Sequence, residues 1–359
     1  MRIMQVLHQG GGSGSVTSTL HLSLGLARAG VEVVLVCPPG SEIEALGRAS
    51  GLIEVVPVKL EPRRGRANAA LLSPVIATSR VELVNSQSSR DRGALTWLGL
   101  RGGLTVPLVL TRRQMPRTFW LENWLASRVA AQVVAVSRAV GDELVRRGTP
   151  PAKLRVIHNG VVTERIDRPV SPGEIATWKE KIQWDPGRRT IGIVSRLKDQ
   201  AVVLQALSKV TTPVRLVLAG IEPKKQLLKL AMKLPTRHAV TFVPFTPDVL
   251  PLYQLLELVL LPTRMEGLSQ ALLEAMALGK PVIASAASGN LDLISHGEDG
   301  LLVSPMDPRA WAHAIEDLLQ HPERAAQLGA RARRTARETF SLDRTIASTR
   351  SLYQEILSR

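Results

Sequence analysis

The opening stretch, MRIMQVLHQGGGSGSVTSTLHLSLGLARAGVEVVLVC (residues 1–37), decides the class of fold. MRIMQVLH is an apolar run of strand length, GGGSGS is a loop, and VTSTLHLSLGLARAG has helical spacing and stops at Gly30. VEVVLVC is a second apolar strand, ended by Pro38 and Pro39. Strand, glycine loop, helix, strand is a βαβ unit. The helix carries the chain back to start the next strand in the same direction, so the sheet is parallel.

The same alternation continues outward. VELVNSQ (81–87), VPLVLT (106–111), QVVAVS (132–137) and LRVIHNG (154–160) read as further strands, and SRAVGDELVRRG as a helix capped by Ser137. Together they make one doubly wound domain over residues 1–166. Residues 167–189, DRPVSPGEIATWKEKIQWDPGRR, break the rhythm with proline, glycine and charge, and predict a linker. Within it SPGE has capping-box order, Ser171 as N-cap, Pro172 at the first helical position and Glu174 three on. A second series, TIGIVSR, VRLVLAG, AVTFVPF, LELVLLP, KPVIAS and GLLVSP, predicts a second parallel sheet in a domain spanning 190–340. SLDRTIASTRSLYQEILSR (341–359) is a closing helix. The expected architecture is α/β, two doubly wound, Rossmann-like domains facing across a cleft. Ligands of such sheets sit at the carboxyl ends of the strands, here in that cleft.

Composition narrows the function. A chain of 359 residues with 45% hydrophobic residues can bury two cores. One cysteine, Cys37, excludes a disulfide framework and a cysteine-based zinc site, and suits a reducing compartment. Strand-like sequence starts near Met1, so no cleavable leader is expected. The apolar runs fall well short of the ~18 residues of a membrane-spanning helix. The net charge is +15, and residues 1–170 hold 22 Lys/Arg against 12 Asp/Glu. That surplus favours phosphate-bearing partners, or an anionic membrane surface on the inner face of the plasma membrane. Basic stretches such as PRRGRAN (62–68) and VLTRRQMPR (109–117) are also compatible with plain solvated faces. With 3% aromatics, the stacking platforms of single-strand binders are nearly absent, and no nucleic-acid partner is expected.

The stretch RMEGLSQALLEAMALGKPVIAS (264–285) carries the chemistry. ELVLLPT is a strand, RMEGLS a loop, and QALLEAMAL a helix stopped by Gly279. Glu266 therefore lies in the loop and Glu274 about one turn inside the helix. Gly267 lets backbone approach a ligand, and the N–H groups of Gly267, Leu268 and Ser269 crown a helix N-terminus, a natural phosphate site. A carboxylate on either side can grip sugar hydroxyls. The plainer alternative makes Glu274 a helix-surface charge and Glu266 a loop charge.

This region resembles the family 4 glycosyltransferases, retaining enzymes of the GT-B architecture, whose signature is Glu, seven residues, Glu in the context EGLSQALLEAMALGKPVIAS (266–285). The likeness runs nearly end to end. It takes in the glycine loop after the first strand, AVSRAVGDEL (135–144), VIHNGV (156–161), the arginine of GIVSRL, the LAG strand end (218–220) and GLLVSPMDPRAWAHAI (300–315). The resemblance implies that Glu266 contacts the donor sugar, that Glu274 holds the ribose hydroxyls, and that backbone from Gly267 to Ser269 meets the diphosphate or sugar. It also implies an arginine and a lysine that neutralise the departing diphosphate. Arg196 matches; the lysine is expected about five residues on, whereas SRLKDQ supplies Lys198 only two on. In the first domain the family's glycine pair aligns with Gly11–Gly12 or falls at Gly14. The family's histidine after the strand equivalent to VPLVLT is replaced by Arg112, Arg113 and Gln114. VNSQSSRDRG and LTRRQMP resemble a subset from bacterial envelope polysaccharide and lipopolysaccharide pathways.

The implied function is transfer of a sugar from a nucleotide-diphosphate donor to the hydroxyl of a glycan or lipid-linked acceptor, with retention. Catalysis falls to Arg196, Lys198 and Glu266; donor binding falls to Gly12, Gly14, Arg196, Lys198, Glu266, Gly267, Leu268, Ser269 and Glu274. No cofactor beyond the donor is expected. No Asp-x-Asp occurs, and fixed cations take the place of a metal. Two alternatives stay open: a sugar-nucleotide epimerase of the same architecture, and a non-catalytic basic protein that binds polyanions or membranes. A Rossmann dehydrogenase fits poorly, since QGGGSGS lacks the three-glycine spacing and VEVVLVC ends in Cys37–Pro38 where an acidic ribose ligand belongs.

Overall fold

The computed structural model describes residues 1–116 and 118–359, so Arg117, at the end of the basic stretch 109–117, lies outside the described residues. The chain divides into two compact units, Met1–Gly160 with Leu342–Arg359, and Val161–Ser341. Each is built on one parallel sheet, as the βαβ reading requires.

The strands of the first unit are β1 (Arg2–Val6), β2 (Glu32–Cys37), β3 (Glu54–Pro57), β4 (Leu83–Ser86), β5 (Leu108–Arg112), β6 (Gln132–Ala135) and β7 (Leu154–Val156). They lie side by side in the order β3-β2-β1-β4-β5-β6-β7. Sequence reading supplies six of the seven. It passes over β3, a four-residue strand at the sheet edge that itself ends in proline, Pro57. Ile3 pairs with Val33 on one side and Leu83 on the other, so β1 sits mid-sheet, buried on both faces as parallel strands are.

The second unit contains β8 (Arg189–Val194), β9 (Val214–Ala219), β10 (Ala239–Val243), β11 (Leu258–Leu261), β12 (Val282–Ser285) and β13 (Leu301–Val303). Their order is β10-β9-β8-β11-β12-β13. In both sheets the first and fourth strands are neighbours, and there the winding direction reverses. The switch point opens a crevice at the strands' carboxyl ends.

Capping follows the sequence signals. Ser137 accepts from the Val140 N–H at 3.2 Å, and Ser171 and Glu174 form the reciprocal capping box of the helix Pro172–Lys181. Residues 167–189 lie inside the second unit, unlike the expected linker, because Trp178 and Ile182 are buried and the Ile182 carbonyl accepts from Arg215 of β9 and Thr241 of β10. The first unit accordingly ends at Gly160 rather than 166.

The closing helix, Leu342–Leu357, returns to the first unit. Leu352, Tyr353 and Ile356 complete the core formed by Ile3, Leu26, Val33, Leu83 and Val109, each side chain removing apolar surface worth roughly 1.5–3 kcal/mol. Gly25 makes that approach possible: a Cβ there would lie 2.1 Å from the Ile346 Cδ1. The Tyr353 hydroxyl, buried, accepts from Gln5 at 3.1 Å and Asn85 at 2.6 Å, tying the helix to β1 and β4. Cys37 is buried and free, and burial pushes its thiol up to about 11. Among the described residues no helix is long and apolar enough to cross a membrane.

Candidate active site

In the second unit, the loops after β8 and β11 meet at the switch point. The β8 loop, SRLKDQ (195–200), is shaped by the buried Gln200. Its side-chain amide donates to the Arg196 carbonyl at 2.8 Å, and its Oε1 accepts from the Lys198 N–H at 2.6 Å. The two loops are stitched together by Asp199, whose N–H reaches the Pro262 carbonyl and whose carboxylate receives the Arg264 side chain at 3.0 Å.

That stitching brings Lys198 onto Glu266, Nζ to Oε2 2.9 Å, with both side chains about a quarter exposed. The shortened spacing after Arg196 thus still delivers a lysine to the first glutamate of the motif. Arg196 is exposed at the start of the same loop.

Gly267, Leu268 and Ser269 are buried, and Ser269 caps the helix Gln270–Ala277 by accepting from Leu272 at 3.3 Å. No acceptor among the described residues takes the backbone N–H groups of these three residues. The turn is held from behind by residues the sequence did not single out. Ser288 donates to the Arg264 carbonyl at 2.9 Å, and the Gly289 N–H donates to the Glu266 carbonyl at 3.2 Å. A Cβ on Gly289 would stand 1.8 Å from the Gly267 carbonyl oxygen.

Glu274 lies one turn into the helix and is largely buried. Burial pushes its carboxyl up, Arg165 opposes that shift, and Asp248 adds to it. The Arg165 guanidinium contacts Glu274 Oε1 at 3.1 Å and is steadied on the Pro247 carbonyl at 3.1 Å. Nothing in the sequence around TERI (163–166) signals this partner. The contact joins positions 109 apart.

In the first unit, Gly12 has φ +59°, a left-handed conformation that suits glycine, and its N–H donates to Glu42 at 3.3 Å. Gly14 is the first residue of the helix Gly14–Arg28, with Ser13 as its cap, so it opens the helix instead of lying in the loop. Arg112 and Arg113, where the family places a histidine, are both buried. Arg112 donates to Asn123 at 2.9 Å, and burial pulls its guanidinium down to about 9, with Arg92 adding to the shift. Arg113 donates to Gln87 at 2.9 Å and to Asn159, and burial lowers it to about 10. Gln114 is exposed. The carbonyl of His158, in VIHNG, accepts from Thr345 of the closing helix at 2.8 Å.

Sequence reading also missed a cluster beside the glycine loop. His8, which follows β1, meets Ser88 and Asp91 through its Nδ1, the latter at 3.2 Å. The one available signal was SSRD (88–91), whose Ser and Asp have capping-box spacing.

Two family models match the chain: "Glycosyltransferase Family 4" over residues 12–165 and "Glycosyl transferases group 1" over residues 174–335. Among curated relatives, a D-inositol 3-phosphate glycosyltransferase of Rhodococcus opacus is 30% identical over 282 residues, 70% of this chain and 63% of the relative. The chain spans about half to just under two thirds of the length of the first curated relatives it matches. Among solved structures, Anabaena HepE in complex with UDP and glucose superposes with a TM-score of 0.84 at 20% identity, covering 99% of this chain and 100% of that one. WaaG, a glycosyltransferase involved in lipopolysaccharide biosynthesis, superposes at 0.69 with 16% identity, covering 97% and 99%. At such identities the likeness shows the fold, which is GT-B. With a family model on each of its two parallel-sheet units and the Glu-x7-Glu corner at the switch point of the second, the chain belongs to the family 4 glycosyltransferases of GT-B architecture.

Proposed function

We propose that the protein transfers a sugar from a nucleotide-diphosphate donor to an acceptor hydroxyl, with retention and without a metal, in the synthesis of a bacterial envelope glycan or lipopolysaccharide. The observation that carries this reading is the corner of the second unit. Lys198 and Glu266 stand 2.9 Å apart beside three backbone N–H groups without an acceptor among the described residues, with Glu274 buried one turn further along the helix. The N–H groups and the cations Arg196 and Lys198 are suited to charge developing on a departing diphosphate, since preorganised donors need no reorganisation at the moment of bond breaking. Glu274, whose carboxyl burial raises against the opposing charge of Arg165, is suited in its ionised form to ribose hydroxyls, and Glu266 to the sugar. Gly12 and Gly14 line the corresponding loop and helix start of the first domain. HepE, whose fold this chain shares, was solved with UDP and glucose, which supports a uridine nucleotide as the first donor to try.

The acceptor is proposed to be a glycan or lipid-linked sugar met at the cytoplasmic face of an anionic membrane. The charge surplus of residues 1–170 supports that placement. So does the run Phe119, Trp120 and Leu121, exposed by 82%, 63% and 48%.

A thermal-shift panel of UDP-, GDP- and ADP-sugars tests donor binding, and the anomeric configuration of the product tests retention. Stabilisation by none of them ends this reading. Conversion of the donor to its epimer without an acceptor would favour the epimerase. Glu274→Ala is expected to weaken UDP binding about tenfold to a hundredfold, the worth of a hydrogen bond to a charged group. Arg196→Ala should lower turnover about a hundredfold or more while leaving UDP affinity nearly intact, and normal turnover would remove its role.

A further inference from the structure

The proposed transfer makes no use of a buried cationic cluster at the end of β5. Arg112 closes that strand, Arg92 lies in the helix Ser89–Leu100, and Glu122 and Asn123 lie near the start of the helix Trp120–Val129. All four belong to the first unit. Both arginines are buried, yet among the described residues their two guanidiniums make one hydrogen bond, from Arg112 to the Asn123 Oδ1 at 2.9 Å. Their other nitrogens are not sealed from solvent. The carboxylate that answers them is Glu122, half exposed and 3.7 Å from Arg92, a loose partner that a stronger anion can replace. Burying a guanidinium strips its water, and without a fixed counter-charge that loss is not repaid. Here burial and the like charge of Arg92 both pull the Arg112 guanidinium down. Arg113, the next residue, shows the ordinary remedy: it is held on the side-chain carbonyls of Gln87 and Asn159.

The amide beside Arg112 has the same need. Asn123 Oδ1 accepts from Arg112 and from the Thr118 hydroxyl, the latter at 2.7 Å, which fixes Nδ2 as the donor end. That Nδ2 is buried and has no acceptor among the described residues. The helix Trp120–Val129 has no side-chain cap, and its dipole favours an anion at this end. Each unmet group in the cluster is thus a donor or a positive charge. The partner it lacks is an anion rich in acceptors, and a tetrahedral phosphate matches the guanidinium fork.

We propose that Arg92, Arg112 and Asn123 form a binding site for a phosphate group on the first unit. The site rests on these residues alone; only the origin of the phosphate, a lipid headgroup or the acceptor, rests on the sugar-transfer reading above. Phe119, Trp120 and Leu121, exposed at the head of the same helix, make a lipid headgroup the first to try.

The probes are inorganic phosphate in solution and phosphatidylcholine vesicles with and without phosphatidic acid, each mixed with the full-length protein. Titration calorimetry should show saturable binding of phosphate, and NMR should place it by a shift of the Asn123 side-chain amide. Arg112→Gln is expected to weaken that binding about tenfold to a hundredfold, the worth of a hydrogen bond to a charged group. Asn123→Asp separates binding from folding. It sets a carboxylate against Arg112 inside the protein, so it should melt at or above the wild-type temperature and lose the phosphate response. A wild type that responds to neither phosphate nor phosphatidic acid overturns the site, and so does a response that survives in both variants. If Asn123→Asp also loses sedimentation with phosphatidic acid vesicles, the phosphate is a lipid's. If it sediments as before and only the response in solution is lost, the phosphate is the acceptor's. The thermal shift from nucleotide sugars should be the same in both variants as in wild type. Its absence from the wild type sinks the donor reading, and the phosphate site is then judged by its own two probes.

Discussion

Glu274 sits where burial and charge pull in opposite directions. Burial raises its carboxyl, Arg165 at 3.1 Å pulls it back, and Asp248 pushes it further up. The buried Tyr253 faces it from another helix, and its hydroxyl, held on the Ala271 carbonyl at 2.9 Å, rises well above its ordinary value, chiefly through burial. In its proposed role Glu274 would accept from the ribose hydroxyls only when ionised, so UDP affinity should fall as pH drops through the raised value. The sign for stability is opposite. The folded state holds this proton more tightly than the unfolded chain, so the group's contribution to stability is present at low pH and is lost as pH rises through the folded pKa. Arg165→Met removes the opposing charge while burial stays. We expect UDP affinity in that variant to begin falling at a higher pH than in wild type, with Arg165→Lys between them. Titration calorimetry of UDP binding over a pH series in the three proteins checks it. Parallel affinity curves in the three proteins would show that Arg165 does not govern Glu274.

At the scale of elements, the corner depends on a close backbone approach. The turn Ser288–Gly289 backs onto the turn 264–269, and any side chain at 289 would run into the Gly267 carbonyl at 1.8 Å. Gly289→Ala should therefore push the 267–269 N–H groups out of line. The expected cost is about 1–3 kcal/mol of stability, as for overpacking elsewhere, together with loss of the thermal shift from nucleotide. A variant that melts like wild type and still binds UDP would show that the turn yields without consequence. Much at this scale was legible in advance. The strand–loop–helix run around 266–274, the Ser137 cap and the Ser171–Glu174 box all reside in a few consecutive residues, where side-chain spacing sets hydrogen bonding directly. The failures have local causes too. β3 is too short to show a pattern, and the polar segment 167–189 reads as a linker until Trp178 and Ile182 are seen to be buried.

At the scale of the molecule, both sheets repeat one winding scheme, and each carries a polar cluster where its winding reverses: Lys198–Glu266 in one and His8–Asp91 in the other. The first unit also bears the exposed Phe119–Trp120–Leu121 run, near Arg147, whose guanidinium reaches the Thr118 carbonyl at 3.0 Å. An aromatic wedge beside the Arg147 guanidinium fits the interface of an anionic bilayer. The double variant Phe119→Ser/Trp120→Ser should partition to phosphatidylglycerol vesicles at least about tenfold more weakly than wild type, given the area withdrawn from water. Sedimentation with anionic and neutral vesicles reads this out, and equal partitioning of wild type to both would remove the membrane contact.

The sequence by itself determined the parallel α/β class, the order of most elements, and the amide-rich corner between Glu266 and Glu274. Apolar periodicity, caps and glycine loops act over a handful of neighbouring residues and leave their mark there. Only the tertiary structure decided that Arg165 meets Glu274 across 109 positions, that Asp91 meets His8 across 83, and that Gly289 backs Gly267. Such pairs form because separate strands deliver their loops to one end of a sheet, and that convergence has no repeating trace along the chain.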